Sequence, residues 1–558
     1  MDEQLIASLS GGDVKSAAAV LERLIHLNTD RFSFPELNSN DLRIQLWSAL
    51  FEYLQNSTAS SIHSLCLANI RILSRDKINL DDVVCEKWIN VLLELTGLYQ
   101  LTVVDEEQLP IESPPDDVKV EALKCLCNLV FNSPATTSLC ANNCMVEGII
   151  SRLRTYKDLN IPHSIKFFDM KLLFIITALR KDKRDTVKDE LHGLAYLIEC
   201  LDDIIKEITP SGAVCLLPSA LVEGDHHYTM NDTQLDLVSE ILKILFNLLL
   251  QCKVDTELGE QEEGYILRLV SICNTLLLCK SESGVKEEEL HNNVVNFLTS
   301  VPVSCYSQLA PIITEEMSTN QHHHFEGRNM EAVHDLIKFL QLKMTKTQNV
   351  TSQYENLSPI LTVMHKAASS NVYLRKYLRA VILPPLKDVH SRPEEGNTVR
   401  NQLCRLLTTP ITHVRDLAAQ FLFILCKENV SRMVKYTGYG NAAGLFATRG
   451  LLGPNKQAVG ECLYSSDSDD SDTEEYRAMR HTVNPVTGCY EPPHADPMAG
   501  CTEEQKEYEA MKLVNLMDQL NRAGIVQPCK IGPDGKPVPV EHILQLQEDL
   551  PNQQLHNA

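Results

Sequence analysis

Aromatic residues make up only 6 % of the 558 positions, tryptophan occurs twice, and glycine and proline number 23 and 25. All-β domains need frequent turns and ring-rich strands, so this scarcity favours helices. Base is short as well: 51 Lys and Arg face 74 Asp and Glu, a formal charge of −23. Phosphate binding draws on counterion release at a net basic footprint, which sets aside a nucleic-acid partner. No uninterrupted apolar run reaches the length of a membrane span, and Met1-Asp2-Glu3-Gln4 has neither a basic nor an apolar leader region. A soluble cytosolic protein with no stable membrane insertion is expected. The 18 cysteines contain no Cys-x-x-Cys pair. Cys140 and Cys144 form a lone Cys-x-x-x-Cys, and Cys125 and Cys127 fall within an apolar helix pattern, so all read as reduced, mostly buried small hydrophobes.

What is present is helical periodicity, from about residue 40 to 450, broken by short polar or Pro-containing stretches. Leu123, Leu126, Cys127 and Val130 share one stripe, as do Val238, Ile241, Leu242, Leu245 and Leu249. The two stretches also match in sequence, Leu123-Lys-Cys-Leu-Cys-Asn128-Leu against Leu242-Lys-Ile-Leu-Phe-Asn247-Leu, with a weaker echo at Val294-Val-Asn-Phe-Leu298. Helix pairs or triplets of roughly 40–47 residues fit armadillo or HEAT units. The fold class read here is an all-α, armadillo/HEAT-like solenoid over residues 1–453, although periodicity alone also fits unrelated helices in a bundle. From Glu461 to Glu475 the chain carries seven acids and no base, and residues 454–501 read as an acidic, Pro-containing linker. A capped helix opens at Thr502 and stops near Gly524, with Met511, Val514, Met517 and Leu520 at helical spacing. Residues 525–558 read as a loosely ordered tail.

Chemistry of bond-making is not legible. Gly438-Tyr-Gly-Asn-Ala-Ala-Gly444 lacks a preceding strand, the Walker lysine and the dinucleotide spacing, so an interhelical turn accounts for it better than a phosphate loop. His322-His323-His324 sits in a polar stretch that offers no closed coordination sphere. No Ser/His/Asp or Cys/His signature appears, and no metal or cofactor is implied. Binding features are stronger. Arg71 and Arg75 stand four residues apart, as do Arg375 and Arg379, and Asn128 and Asn247 share a register in matching repeats. Residues 371–435 hold eleven Lys/Arg against five Asp/Glu, a basic block that suits a carboxylate-bearing peptide or the chain's own acidic run.

At Arg71-Ile-Leu-Ser-Arg75-Asp76, Leu123-Lys-Cys-Leu-Cys-Asn128-Leu, Phe167-Phe-Asp169, Leu383-Pro-Pro-Leu386, Lys435 to Gly444, Asn484-Pro-Val-Thr-Gly488, Thr502-Glu-Glu-Gln-Lys506 and Glu509 to Val514 the sequence resembles the synembryn, or resistance-to-inhibitors-of-cholinesterase, family. The resemblance implies an armadillo/HEAT superhelix with a C-terminal extension. It implies a guanine-nucleotide exchange factor and folding chaperone of heterotrimeric G-protein α subunits, a monomer without bond chemistry of its own, recruited from the cytoplasm to the cell cortex by Gα. Arg71, Arg75, Asn128, Arg375 and Arg379 would line the groove for the Gα C-terminal helix, with Asn247 in the matching repeat. Met511, Val514, Met517 and Leu520 would pack on the Ras-like domain. Ser466 has Asp469 at +3 and Ser471 has Glu474 at +3, the spacing a casein kinase 2-type kinase favours, and the family carries phosphorylated sites there. A passive armadillo adaptor is the alternative.

Overall fold

A computed structural model describes residues 9, 13–38, 41–99, 113–157, 160–209, 228–250, 259–313, 323–347, 349–452, 472–492, 498, 500–541 and 545. Where one array from 1 to 453 is expected, the chain divides into two compact units, 1–309 with 313–321, and 310–312 with 322–558.

The first unit is built from α1 (Val14–Asn28), α2 (Leu42–Gln55), α3 (His63–Leu73), α4 (Leu80–Val83), α5 (Glu86–Thr96), α6 (Asp116–Asn132), α7 (Pro134–Asn142), α8 (Met145–Leu153), α9 (His163–Leu179), α10 (Lys181–Asp185), α11 (Gly193–Ile208), α12 (Asp232–Leu249), α13 (Glu260–Leu277) and α14 (Gly284–Ser300). Helices α1, α3, α6, α9, α12 and α14 pack each on the next in one row, and α2, α5, α7, α8, α11 and α13 form a second row behind them. This is an all-α solenoid. Strands are incidental, as in β1 (Tyr228–Thr229) paired with β2 (Cys279–Lys280). Local chemistry sets the helix starts: the Asp13 carboxylate accepts from Ser16 N at 2.8 Å, Pro134 opens α7, and Asn231 with Gln234 forms a capping box on α12. Both stripes read from the sequence are buried, and α6 also buries Ala122, Cys125 and Leu129, because a helix flanked in its row and backed by the second row shows water only a narrow face.

The second unit contains α15 (Glu331–Lys346), α16 (Gln353–Ser370), α17 (Val372–Ile382), α18 (Val399–Leu406), α19 (Thr412–Leu425), α20 (Val430–Thr437), α21 (Tyr439–Arg449), α22 (Glu474–Met479) and α23 (Glu503–Arg522). Helix α16 packs on α15, α17 and α19, and α19 on α17, α18, α20 and α21. Three hairpins join it: β3 (His324–Phe325) with β4 (Arg328–Asn329), β5 (Val483–Asn484) with β6 (Cys489–Tyr490), and β7 (Cys529–Ile531) with β8 (Pro537–Pro539). The last two fall in stretches expected to be linker and loose tail. Instead the β5–β6 hairpin docks on the α20–α21 turn, and the β7–β8 hairpin docks beyond α21 through Leu452 N, which donates to Gly535 O at 3.3 Å. The Thr502 cap expected from the sequence forms, with Gln505 completing a capping box.

Two buried carboxylates tie the first unit. Asp76 accepts from Arg43 Nη2 (3.0 Å), Phe34 N (2.8 Å) and Ile78 N (3.1 Å), joining the turn after α3 to the connection between α1 and α2 and to the start of α2. Burial alone would raise its pKa, yet the two amides and Arg43 together hold it below the usual aspartate value. Asp169 on α9 accepts from Arg152 Nη1 at 3.3 Å and from Tyr156 Oη at 3.1 Å, while Arg152 Nη2 donates to Thr96 O at 2.6 Å.

Replacing Asp76 with Ala leaves Arg43 a buried charge without its carboxylate and two amides without acceptors. The expected cost is about 3–5 kcal/mol, read as a lower urea midpoint at unchanged slope. Burial pushes the Asp169 carboxyl up to about 6, against the pull of Arg152 and Tyr156. A folded-state pKa above the ~3.9 of an unfolded aspartate means that its stabilisation is complete below that value and is lost as pH rises through the folded-state value. Wild-type stability relative to Asp169→Asn is therefore expected to fall between about pH 4 and about pH 6 and then level off. Urea titrations across that range check it, and a pH-independent difference would contradict the buried-carboxyl assignment.

Candidate functional site

In the first unit the row of α3, α6, α9 and α12 carries a repeated pattern of charge on aromatic. Arg71 Nε donates to Glu121 Oε2 at 2.8 Å, and Lys124 Nζ to Glu121 Oε1 at 2.7 Å. Lys124 in turn lies 5.4 Å over the Phe168 ring. Two helices further along the row, Lys243 Nζ donates to Glu240 Oε1 at 2.7 Å and lies 5.0 Å over Phe174. Burial would raise the Glu121 carboxyl, but Lys124 and Arg71 hold it below its ordinary value, so it stays ionised between two cations. A face that alternates paired charge with half-exposed rings offers an amphipathic helix both apolar area and charge-assisted contacts. Glu121 and Glu240 were not among the residues singled out from the sequence. The signal was available, because the repeat extends upstream as Glu121-Ala-Leu-Lys124 and Glu240-Ile-Leu-Lys243.

Arg75 lies past the end of α3 and is not beside Arg71's partner. Its Nη1 donates to Thr29 O at 2.6 Å and its guanidinium lies 5.1 Å over Phe32, so it closes the carboxyl end of α1. Asn128 and Asn247 do occupy one register, and both amides reach the neighbouring helix: Asn128 Nδ2 donates to Arg71 O at 3.0 Å, and Asn247 Nδ2 to Thr177 Oγ1 at 3.1 Å and Phe174 O at 3.3 Å. Asn69 does the same toward Leu21 O at 3.2 Å.

In the second unit Arg375 and Arg379 line a cavity of about 290 Å³ with Lys376, Lys427, Glu326, Phe325, Leu383, Leu425 and Tyr436. Four cations and one carboxylate over an apolar floor suit an anionic group carried on an apolar side chain or chain end. Arg375 Nη1 also donates to Ala368 O at 3.1 Å, and Lys376 Nζ pairs with Glu326 at 3.1 Å. Lys427 enters from a left-handed turn at φ 55°, just past α19. One wall is the β3–β4 hairpin: Phe325 meets Tyr377 edge-on at 5.6 Å, and Tyr377 Oη lies 3.1 Å from His334 Nδ1 and 3.4 Å from His323 Nδ1. Of the histidine triplet, His322 lies outside the described residues, and His323 stacks on His334 at 4.0 Å.

The glycine turn is engaged internally. Tyr439 N and Gly440 N donate to Pro485 O (2.8 Å) and Val486 O (2.9 Å), so the amides a phosphate would need already pair with the Asn484–Gly488 hairpin. On α23, Met511 is 58 % exposed, while Val514, Met517 and Leu520 are half-buried. Tyr508, Leu513 and Leu516 are also exposed, which makes the apolar surface broader than the stripe read from the sequence. Ser466 and Ser471 lie outside the described residues, but Asp472, at the end of the same acidic run, pairs with Lys435 of the basic block. Among the described residues no group of three His, Cys, Asp or Glu side chains is placed to hold a metal ion, and no helix is long and apolar enough to cross a membrane.

Comparison with known proteins gives this geometry a context. Chaperone Ric-8 of Drosophila melanogaster is 36 % identical over 100 % of this chain and 99 % of its own length. Chaperone Ric-8A of Gallus gallus is 36 % identical over 97 % of this chain and 96 % of its own, and that of Danio rerio 38 % over 96 % and 94 %. A crystal structure of an engineered protein aligns with a TM-score of 0.40 and 12 % identity, covering 84 % of this chain and 96 % of that one, too weak a likeness to argue from. The sequence model of the Ric8 family, described as guanine nucleotide exchange factor synembryn, matches residues 66–536, and with full-length relatives at this identity the chain belongs to that family.

Proposed function

We propose that the chain is a receptor-independent guanine-nucleotide exchange factor and folding chaperone for G-protein α subunits: it grips free GDP-bound Gα, promotes GDP loss, stabilises the nucleotide-free state and leaves when GTP binds. The observation that carries this reading is the charge-on-aromatic face of the first unit within a chain of this family. Its occupant is the C-terminal helix of Gα. Arg71, Arg75, Asn128 and Asn247 act from the first unit, Asn128 and Asn247 by setting the register of the face, and Arg375 and Arg379 act from the cavity of the second. Helix α23 covers the Ras-like domain, for which its exposed Met511, Leu513 and Leu516 provide apolar area.

Such a protein requires no bond chemistry. Binding nucleotide-free Gα more tightly than the GDP form lowers GDP affinity by the same factor, and GTP binding then expels the exchange factor. Chaperoning follows from the same preference for an open Gα. Phosphorylation of Ser466 and Ser471 by a casein kinase 2-type kinase would add charge to the run whose Asp472 already meets Lys435. The protein works as a cytoplasmic monomer drawn to the cell cortex by Gα.

Arg71→Glu and Arg375→Glu are each expected to weaken binding of a Gα C-terminal peptide roughly ten- to a hundredfold, since losing a charge-assisted bond costs about 1.5–3 kcal/mol, with circular dichroism unchanged. Calorimetric titration of the peptide checks this, and wild-type affinity in both variants would remove these faces from the mechanism. Purified full-length protein is expected to accelerate GDP release from Gα, and a chain ending before Thr502 to bind the peptide normally but accelerate release poorly. Peptide binding without any acceleration by the full chain would instead mark a passive adaptor.

A further inference from the structure

Helix α23 buries none of its residues, yet the chain on both sides of it returns to the body of the second unit. Upstream, the β5–β6 hairpin is held by backbone bonds, in which Tyr490 N donates to Val389 O at 2.6 Å besides the Tyr439 and Gly440 amides, and the Tyr490 ring meets His390 edge-on at 5.4 Å. Gly488 makes the approach possible. Its φ is +72°, and a Cβ there would lie 2.8 Å from the Pro393 ring and 3.0 Å from the Gly438 backbone. Downstream, the β7–β8 hairpin meets the end of α21 through Leu452 N and Gly535 O, and Val540 behind it is buried. At Gly535, φ is +77° and a side chain would run into the Gly450 carbonyl.

We propose that Gly488 and Gly535 are positioning residues for nucleotide exchange: they permit two backbone pins that hold α23 as a strap fixed at both ends, so that its exposed Tyr508, Met511, Leu513 and Leu516 stay close to a bound Gα. This rests on the reading of α23 as the Gα-covering helix. Eleven residues (491–501) join the first pin to Thr502, and six (523–528) join the helix to β7. With both pins gone, upstream ties remain at Thr473, whose Oγ1 donates to Leu386 O, and at Tyr476, whose ring lies 4.8 Å from Lys435 Nζ, twenty-five residues (477–501) before the helix cap. Effective concentration falls roughly as the −3/2 power of the connecting length, so the change from eleven to twenty-five residues lowers it about threefold. Either pin alone keeps the strap local, and the loss is therefore synergistic.

The test compares GDP release from Gα, at sub-saturating concentrations of full-length wild-type protein, Gly488→Val, Gly535→Val and the double variant, with the chain ending before Thr502 as reference. Each single variant is expected within about twofold of wild type, and the double variant at least about threefold slower. Gα C-terminal peptide affinity is expected to stay constant throughout, which a generally damaged second unit would not give. Hydrogen exchange reads docking directly, because the Tyr439 and Gly440 amides lose protection when the first pin opens and Leu452 when the second does. Protected amides in the valine variants, or a double variant as fast as wild type while the truncated chain is slow, overturn the pins. A truncated chain as fast as wild type overturns the reading of α23 itself, and the pins fall with it.

Discussion

The register between neighbouring helices of the first row is the constraint on which the rest of that unit depends. Burying an apolar stripe would hold two parallel helices together but would let them slide, because hydrophobic contact is non-directional. Side chain to backbone hydrogen bonds remove that freedom. Asn69, Asn128, Asn132 and Asn247 each donate to the backbone of an earlier helix or of the turn that ends it. Two of the acceptors in this part of the fold, Ser74 O and, for Arg75, Thr29 O, lie at helix ends, where the helix supplies no further backbone donor. The same bond thus satisfies an orphan carbonyl and fixes the level of the next helix.

Once the levels are fixed, residues on neighbouring helices and about fifty positions apart in sequence become neighbours by necessity. Glu121 sits between Arg71 of the preceding helix and Lys124 of its own, and Lys124 reaches the ring of the helix that follows. Glu240, Lys243 and Asn247 repeat the spacing of Glu121, Lys124 and Asn128, and place a second lysine on a second phenylalanine. The charge-on-aromatic face is therefore a consequence of the register bonds.

That dependence explains what could be read from residues alone. Helices α6 and α12 were legible because their apolar spacing is local, and the shared place of Asn128 and Asn247 was legible because the repeat copies it. Their bonding partners were not, since an asparagine amide pattern is the same whether it meets a ligand or the preceding helix. Asp76 and Asp169 gave no local sign of burial, because each draws its partners from other elements: Phe34 and Arg43 in one case, Arg152 in the other. The hairpins at 483–490 and 529–539 have strands of two or three residues, too short for alternation to register, and their composition of Pro, Gly and Asn also suits a linker. Only the long-range backbone pairing with Tyr439, Gly440 and Leu452 separates the two, and it explains the glycine-rich turn that resembles a phosphate loop.

The internal pairing of the cations bears on selectivity. An unpaired arginine on a protein of charge −23 would be the strongest local attraction for any anion, and would discriminate little. Arg71 and Lys124 already share Glu121, so a simple anion gains small advantage by displacing a carboxylate that is held by both. A partner gains only if it replaces that carboxylate and at the same time covers the Phe168 and Phe174 rings, lowering the local dielectric in which its own charge is then bonded. For the proposed binding of a Gα helix at this face, apolar contact and charge are thereby conditional on each other, which disfavours acidic peptides that lack the apolar side as well as apolar helices that lack the acid.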